Sequence, residues 1–122
     1  MKQEESPIWI KSKAYAVRIV RLTRHLQDDL KEYILSNQIK RSGTSIGANV
    51  RESRNAQSRA DFINKLQIAL KESDETQYWL ELLVETEYIS HELFDSLMAD
   101  NKELTALLTS IINSTKNNLN KP

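Results

Sequence analysis

Two glycines and two prolines in a chain of 122 residues leave almost no turn chemistry. A sandwich or barrel needs a tight turn every few residues, and glycine, proline and asparagine supply the backbone conformations those turns require. Long helices with few connections are what such a chain can form. The length suits one domain with a single hydrophobic core.

Helix boundaries follow from capping residues and apolar spacing. Ser6-Pro7 reads as a helix start, because serine accepts a free N–H and proline lacks one at the first position. The first helix runs from about Ile8 to His25, with Trp9, Ala16, Ile19, Val20 and Leu26 toward one face. Asp29 and Glu32 fit a capping box that opens the second helix. Its stripe of Leu35, Ile39, Ser42, Ile46 and Asn49 or Val50 runs straight through Gly43 and Gly47. Those glycines therefore read as small helical residues that let a neighbouring backbone come close. A phosphate loop would need four residues between its glycines and then Lys-Ser/Thr.

Ser58 to Asp61 is a second cap signature, and the third helix spans about 58–87. One stripe carries Phe62, Leu66, Ala69, Ser73, Thr76, Leu80 and Leu83, and another carries Ile63, Leu70, Gln77 and Val84. From Tyr78 to Val84 only Glu81 is neither apolar nor aromatic. A bundle helix needs only about three apolar positions in seven, so the surplus at Tyr78, Trp79 and Leu82 predicts a protomer interface. Ser90 starts the fourth helix, marked by Leu93, Leu97, Leu104, Leu108 and Ile111 or Ile112. Asp100-Asn101 interrupts that stripe without ending the helix, although Asp100 and Glu103 could form another cap. The polar segment from Asn113 onward is expected to fray. The expected fold is all-α, an antiparallel up-and-down four-helix bundle over residues 8–115, between an N-terminal extension (1–7) and a polar tail (116–122).

The chain has no net charge, but residues 1–65 hold thirteen Lys/Arg against seven Asp/Glu, and residues 66–122 hold four against ten. Side-by-side packing of the two halves would cancel much of this +6/−6 asymmetry in surface ion pairs. Arg18, Arg21 and Arg24 recur every third residue, and Arg51, Arg54 and Arg59 cluster around the second turn. These six are the candidate phosphate contacts of a nucleic-acid face. Glu52, Asp61, Asp28 and Asp29 intrude, and no aromatic residue is interleaved with the arginines for base stacking.

Chemistry of other kinds finds little footing. Cysteine is absent, and only His25 and His91 carry imidazoles. Placing the second and third helices antiparallel about residue 57 sets Arg41 level with Glu72 and Glu75, and Asn49 level with Lys65. A turn near residue 28 sets Arg18 near Gln38. A layer of Gln38, Arg41, Asn49, Glu72 and Glu75, joined by Arg18, reads as a register-setting ion network rather than an acid-base pair. Di-iron bundles use Glu-x-x-His pairs, and none occurs here. No catalytic residue, metal or cofactor is expected. No segment is long and apolar enough to span a bilayer, and the polar, acidic Met1 to Ser6 lacks the apolar run of an export signal, so a cytoplasmic location is expected.

The run Leu35 to Glu52, then Asp61-Phe62-Ile63, Ile68 to Thr76 and Tyr78-Trp79-Leu80, resembles bacterial four-helix-bundle proteins encoded in intervening sequences of large-subunit ribosomal RNA genes. The resemblance covers about residues 10–115. It implies an up-and-down protomer assembling into a barrel-like homopentamer. A more distant similarity is to the accessory protein of diversity-generating retroelements, a basic pentamer that engages reverse transcriptase and nucleic acid; the present chain differs in being neutral. The resemblance falls on Gln38, Arg41, Ser42, Ser45, Asn49, Glu52, Phe62, Ala69, Glu72, Glu75, Trp79 and Leu80. The functional expectation is a non-enzymatic homo-oligomer associated with RNA or another nucleic acid. The alternative is a scaffold for a protein partner that does not itself bind nucleic acid.

Overall fold

A computed structural model of the chain describes Lys2 and residues 5–119, with Leu119 placed for its backbone only. Four helices account for nearly all of it: α1 (Pro7–Asp28), α2 (Ile34–Ser53), α3 (Arg59–Glu85) and α4 (His91–Leu119). No strand occurs among the described residues. Each helix packs on the next, and α4 returns to α1 along a sparser side, while α1 and α3, and likewise α2 and α4, stay apart. This is an up-and-down four-helix bundle, as the short connections demand. The fourth helix continues through Asn113 to Leu119, past the expected bundle boundary; residues 1, 3 and 4 of the N-terminal extension and residues 120–122 of the tail lie outside the described residues.

Three of the four helix starts use the serine named from sequence. Ser6 Oγ accepts from the Trp9 amide at 3.4 Å, Ser58 Oγ from Asp61 at 3.0 Å, and Ser90 Oγ from Leu93 at 3.1 Å. The start of α2 differs. Asp29 closes α1, bonding back to His25 O through its amide and to His25 Nδ1 through its carboxylate at 2.6 Å. The second helix begins five residues later, and its cap position, Tyr33, supplies no side-chain bond. Glu32 does that work instead: its carboxylate accepts the Ser36 amide at 2.7 Å, and its carbonyl accepts the Ser36 hydroxyl at 2.7 Å. The left-handed position in this connection falls on Lys31, with φ 58°, so a competing turn occupies the residues of the expected capping box.

Both glycines sit inside α2, where α1 comes close. A Cβ on Gly43 would meet the Ile19 side chain at 2.8 Å, and one on Gly47 would meet the Ser12 carbonyl oxygen at 3.2 Å. The expected close approach is therefore present, and α1 is the neighbour that makes it. In α3 the two expected stripes are the core-facing ones, with Leu66, Ala69, Ser73, Thr76, Leu80 and Leu83 buried. In α1 the buried line is Ile8, Ser12, Tyr15, Ile19, Leu22, Thr23 and Leu26, so the expected Trp9, Ala16 and Val20 lie on its flank. Ser12, Tyr15 and Thr23 hold core positions that apolar spacing does not reveal.

Asn101 does not break α4. It is fully buried and completes the Leu97, Leu104 and Leu108 stripe. Its Oδ1 accepts from Ser73 Oγ (2.9 Å) and Gln77 Nε2 (2.7 Å), and its Nδ2 donates to Ser73 O (3.1 Å) and Tyr15 OH (3.3 Å). Ser73 Oγ lies 3.0 Å from Thr105 Oγ1 as well. Four hydrogen bonds satisfy the buried amide and tie α1, α3 and α4 at one level. Burial pushes the Tyr15 hydroxyl pKa up to about 12, against the opposing hydrogen bond from Asn101.

Candidate nucleic-acid interface

The six arginines named from sequence separate into three groups. Arg18 turns to α4, where Nη1 pairs with Asp100 at 2.7 Å and Nη2 donates to Ser96 Oγ at 3.0 Å. With Lys11–Glu103 at 2.6 Å, it neutralises part of the charge asymmetry along the α1–α4 side. Arg21 and Arg24 are exposed farther along α1, but they share a shallow depression with His25, Asp28 and Asp29. That end of α1 is of mixed sign.

The third group is gathered by tertiary structure. Arg51 Cζ lies 4.9 Å from the centre of the Trp9 ring, and Arg54 Cζ lies 5.4 Å from it. Both distances are within the range of cation–π attraction, about 0.5–1 kcal/mol each at exposed sites. The antiparallel course brings the start of α1 beside the end of α2, and Arg59 opens α3 at that same end. An aromatic ring therefore does accompany the arginines, contrary to the sequence reading. Trp9 is some forty residues away along the chain, so linear spacing held no signal of it.

The expected polar layer is a surface cluster instead of a crossing network. Arg41 Nη2 donates to Glu75 Oε2 (3.0 Å) and Gln38 Oε1 (3.2 Å), and Trp79 Nε1 donates to the same Glu75 oxygen (3.1 Å). The Arg41 side chain is 59% exposed, so the pair spans the outer α2–α3 seam. Arg18 is not part of it, and Asn49 bonds within its own helix, to Ser45 O at 2.8 Å. Longer side chains on the flank reach outward, where charge is solvated, and the buried register bonds belong to uncharged groups. Thr76 Oγ1 donates to Ser42 Oγ at 2.9 Å, and Asn101 does the rest. The exception is Glu72, whose Oε2 is buried without a hydrogen-bond partner among the described residues.

On the same side of α3, Tyr78 is 53% exposed, and Trp79 and Leu82 are half-buried, while Leu80, Leu83 and Val84 fill the core. Tyr78 and Trp79 meet edge to face, with ring centres 5.0 Å apart. No cluster of three or more His, Asp or Glu among the described residues is placed to hold a metal ion. No described helix is long and apolar enough to cross a membrane.

The model of a family described as 23S rRNA-intervening sequence protein matches residues 4–110. The chain belongs to this family. Among solved structures it is similar to a protein from Bacteroides thetaiotaomicron, described as a protein with unknown function from the S23 ribosomal protein family. The two share 58% identity over 87% of this chain and 95% of that one, with a TM-score of 0.86. No curated protein matches. The likeness to the solved structure supports the architecture of this member of the 23S rRNA-intervening sequence protein family, and its chemistry rests with the side chains that the bundle presents.

Proposed function

We propose that the chain is a non-enzymatic, self-associating cytoplasmic bundle that binds RNA through the end where α1 begins, α2 ends and α3 starts. The observation that carries this reading is the convergence of Arg51 and Arg54 on Trp9 beside Arg59. Cations held against an aromatic ring present fixed positive charge to phosphates and a flat surface to bases. The family's name ties its members to ribosomal RNA intervening sequences, which makes RNA the first polymer to test.

Self-association multiplies a modest site. Tyr78, Trp79 and Leu82 are the surface on which a second protomer would sit, and a homopentamer is the assembly implied by resemblance. Five copies of one basic end act together through effective concentration, which offsets zero net charge. A protein-interaction scaffold is the second reading. It is favoured by Ile34 and Tyr33, 77% and 53% exposed at the opposite end of the bundle.

Binding of a structured ribosomal RNA hairpin at low salt tests the main reading. The combined Arg51→Glu, Arg54→Glu and Arg59→Glu variant should bind at least about tenfold more weakly, with a salt slope reduced by roughly 0.7–0.9 per lost phosphate contact. Absence of binding by the native protein, or equal binding by the variant, rejects it.

A further inference from the structure

Trp9 stands between two cavities. One, of about 190 Å³, opens at the bundle end and is walled by Ile8, Phe62, Leu66 and Ile111. The other, of about 300 Å³, is a groove between α1 and α2 with Trp9, Lys13 and Arg51 as its walls. Its base consists of small residues, among them Ser12, Thr44 and Gly47. Gly47 is where the helices touch, since a Cβ there would lie 3.2 Å from the Ser12 carbonyl oxygen. Ala16, Ala48 and the buried Val50 complete the lining.

We propose that this α1–α2 groove seats one unpaired nucleotide of RNA, with the base against Trp9 and the Arg51 guanidinium and the flanking phosphates toward Lys13, Arg54 and Arg59. The proposal rests on the RNA-binding reading and names the form of RNA that the basic end selects. Bases stack on aromatic rings and on arginine planes only when they leave a helix; duplex RNA offers phosphates and 2′-hydroxyls, for which an indole is of no use. A volume near the lower limit of small-ligand clefts, about 300–1,000 Å³, suits one base and not a strand. Two cationic walls favour an anionic ligand, and the neighbouring anion, Glu52, is exposed and does not line the groove.

Fluorescence polarisation of a labelled oligouridylate and of a blunt RNA duplex of equal length, at low salt, tests this. The native protein should bind the single strand at least about tenfold more tightly than the duplex. Loss of one stacked base lowers affinity by about 5- to 150-fold, so Trp9→Leu should weaken the single strand by that factor and the duplex by much less, through the freed Arg51 and Arg54 alone. Ala48→Leu fills the groove from an exposed position on α2 and should act in the same way without touching the core. Equal affinity for the two RNAs with both variants silent overturns the groove and leaves the RNA-binding reading standing. Failure to bind either RNA overturns both. Equal binding of oligouridylate and polyglutamate identifies a generic anion patch and overturns the nucleotide seat.

Discussion

Asn101 has the most consequential side chain in the molecule, because four hydrogen bonds converge on an amide with no access to water. Asn101→Ala removes the common partner of Tyr15, Ser73 and Gln77. The expected loss is about 2–4 kcal/mol in chemical denaturation, because groups left buried and unpaired incur their full desolvation cost. Tyr15 adds a pH dependence of definite sign. Its pKa rises from 10.0 in the unfolded chain to about 12 in the fold, so the folded state retains the proton that the unfolded state gives up. This contribution is intact below pH 10 and is lost as pH climbs through 12. The native protein should lose about 2–3 kcal/mol there in excess of Tyr15→Phe, since each tenfold change in an acid dissociation constant corresponds to about 1.4 kcal/mol. Parallel alkaline unfolding curves for the two proteins would contradict it.

Among the elements, α3 is readable from sequence almost in full, because its buried face follows a three-four spacing and its cap uses ordinary serine chemistry. The second helix is readable through both glycines but not at its start, where a left-handed Lys31 and the Glu32 carboxylate replace the expected box. The first helix misleads, because Tyr15 is buried against Asn101 of another helix, Ser12 and Thr23 are buried with their hydroxyls bonded back to α1 carbonyls, and polarity alone points such residues outward. The candidate site is half legible for the same reason. Arg51, Arg54 and Arg59 are visible as a local cluster, whereas Trp9 joins them only once α1 lies along α2. Helix contact also decides the glycines. Gly43→Ala gains about 1 kcal/mol of helix propensity but drives a methyl into buried Ile19, an overpacking cost of about 1–3 kcal/mol. Thermal melts should place Gly43→Ala below the native protein and below Gly47→Ala, whose contact at 3.2 Å is looser; the reverse order would show that α1 yields easily.

At the scale of the whole molecule, the protomer leaves an aromatic surface on α3 that its own helices do not cover. The proposed assembly should give a mass near five times 14.1 kDa by light scattering after size exclusion. Tyr78→Glu should reduce that mass to the protomer with helical circular dichroism unchanged, since Tyr78 is 53% exposed in the isolated bundle. A native protein of 14.1 kDa would remove the basis for additive binding. The four sides of the bundle are also unequal. The α2–α3 side has the most extensive packing, and the α1–α4 side is joined sparsely, with the solvated pairs Lys11–Glu103 and Arg18–Asp100 along it. Mechanically the bundle is then two helical hairpins hinged along a central spine, with an electrostatic clasp on the open edge. Surface pairs contribute at most about 1 kcal/mol each and weaken as salt rises, so breathing begins at that edge. Amides of α1 and α4 facing one another should exchange with solvent before those of the spine, and salt should widen the gap in their rates.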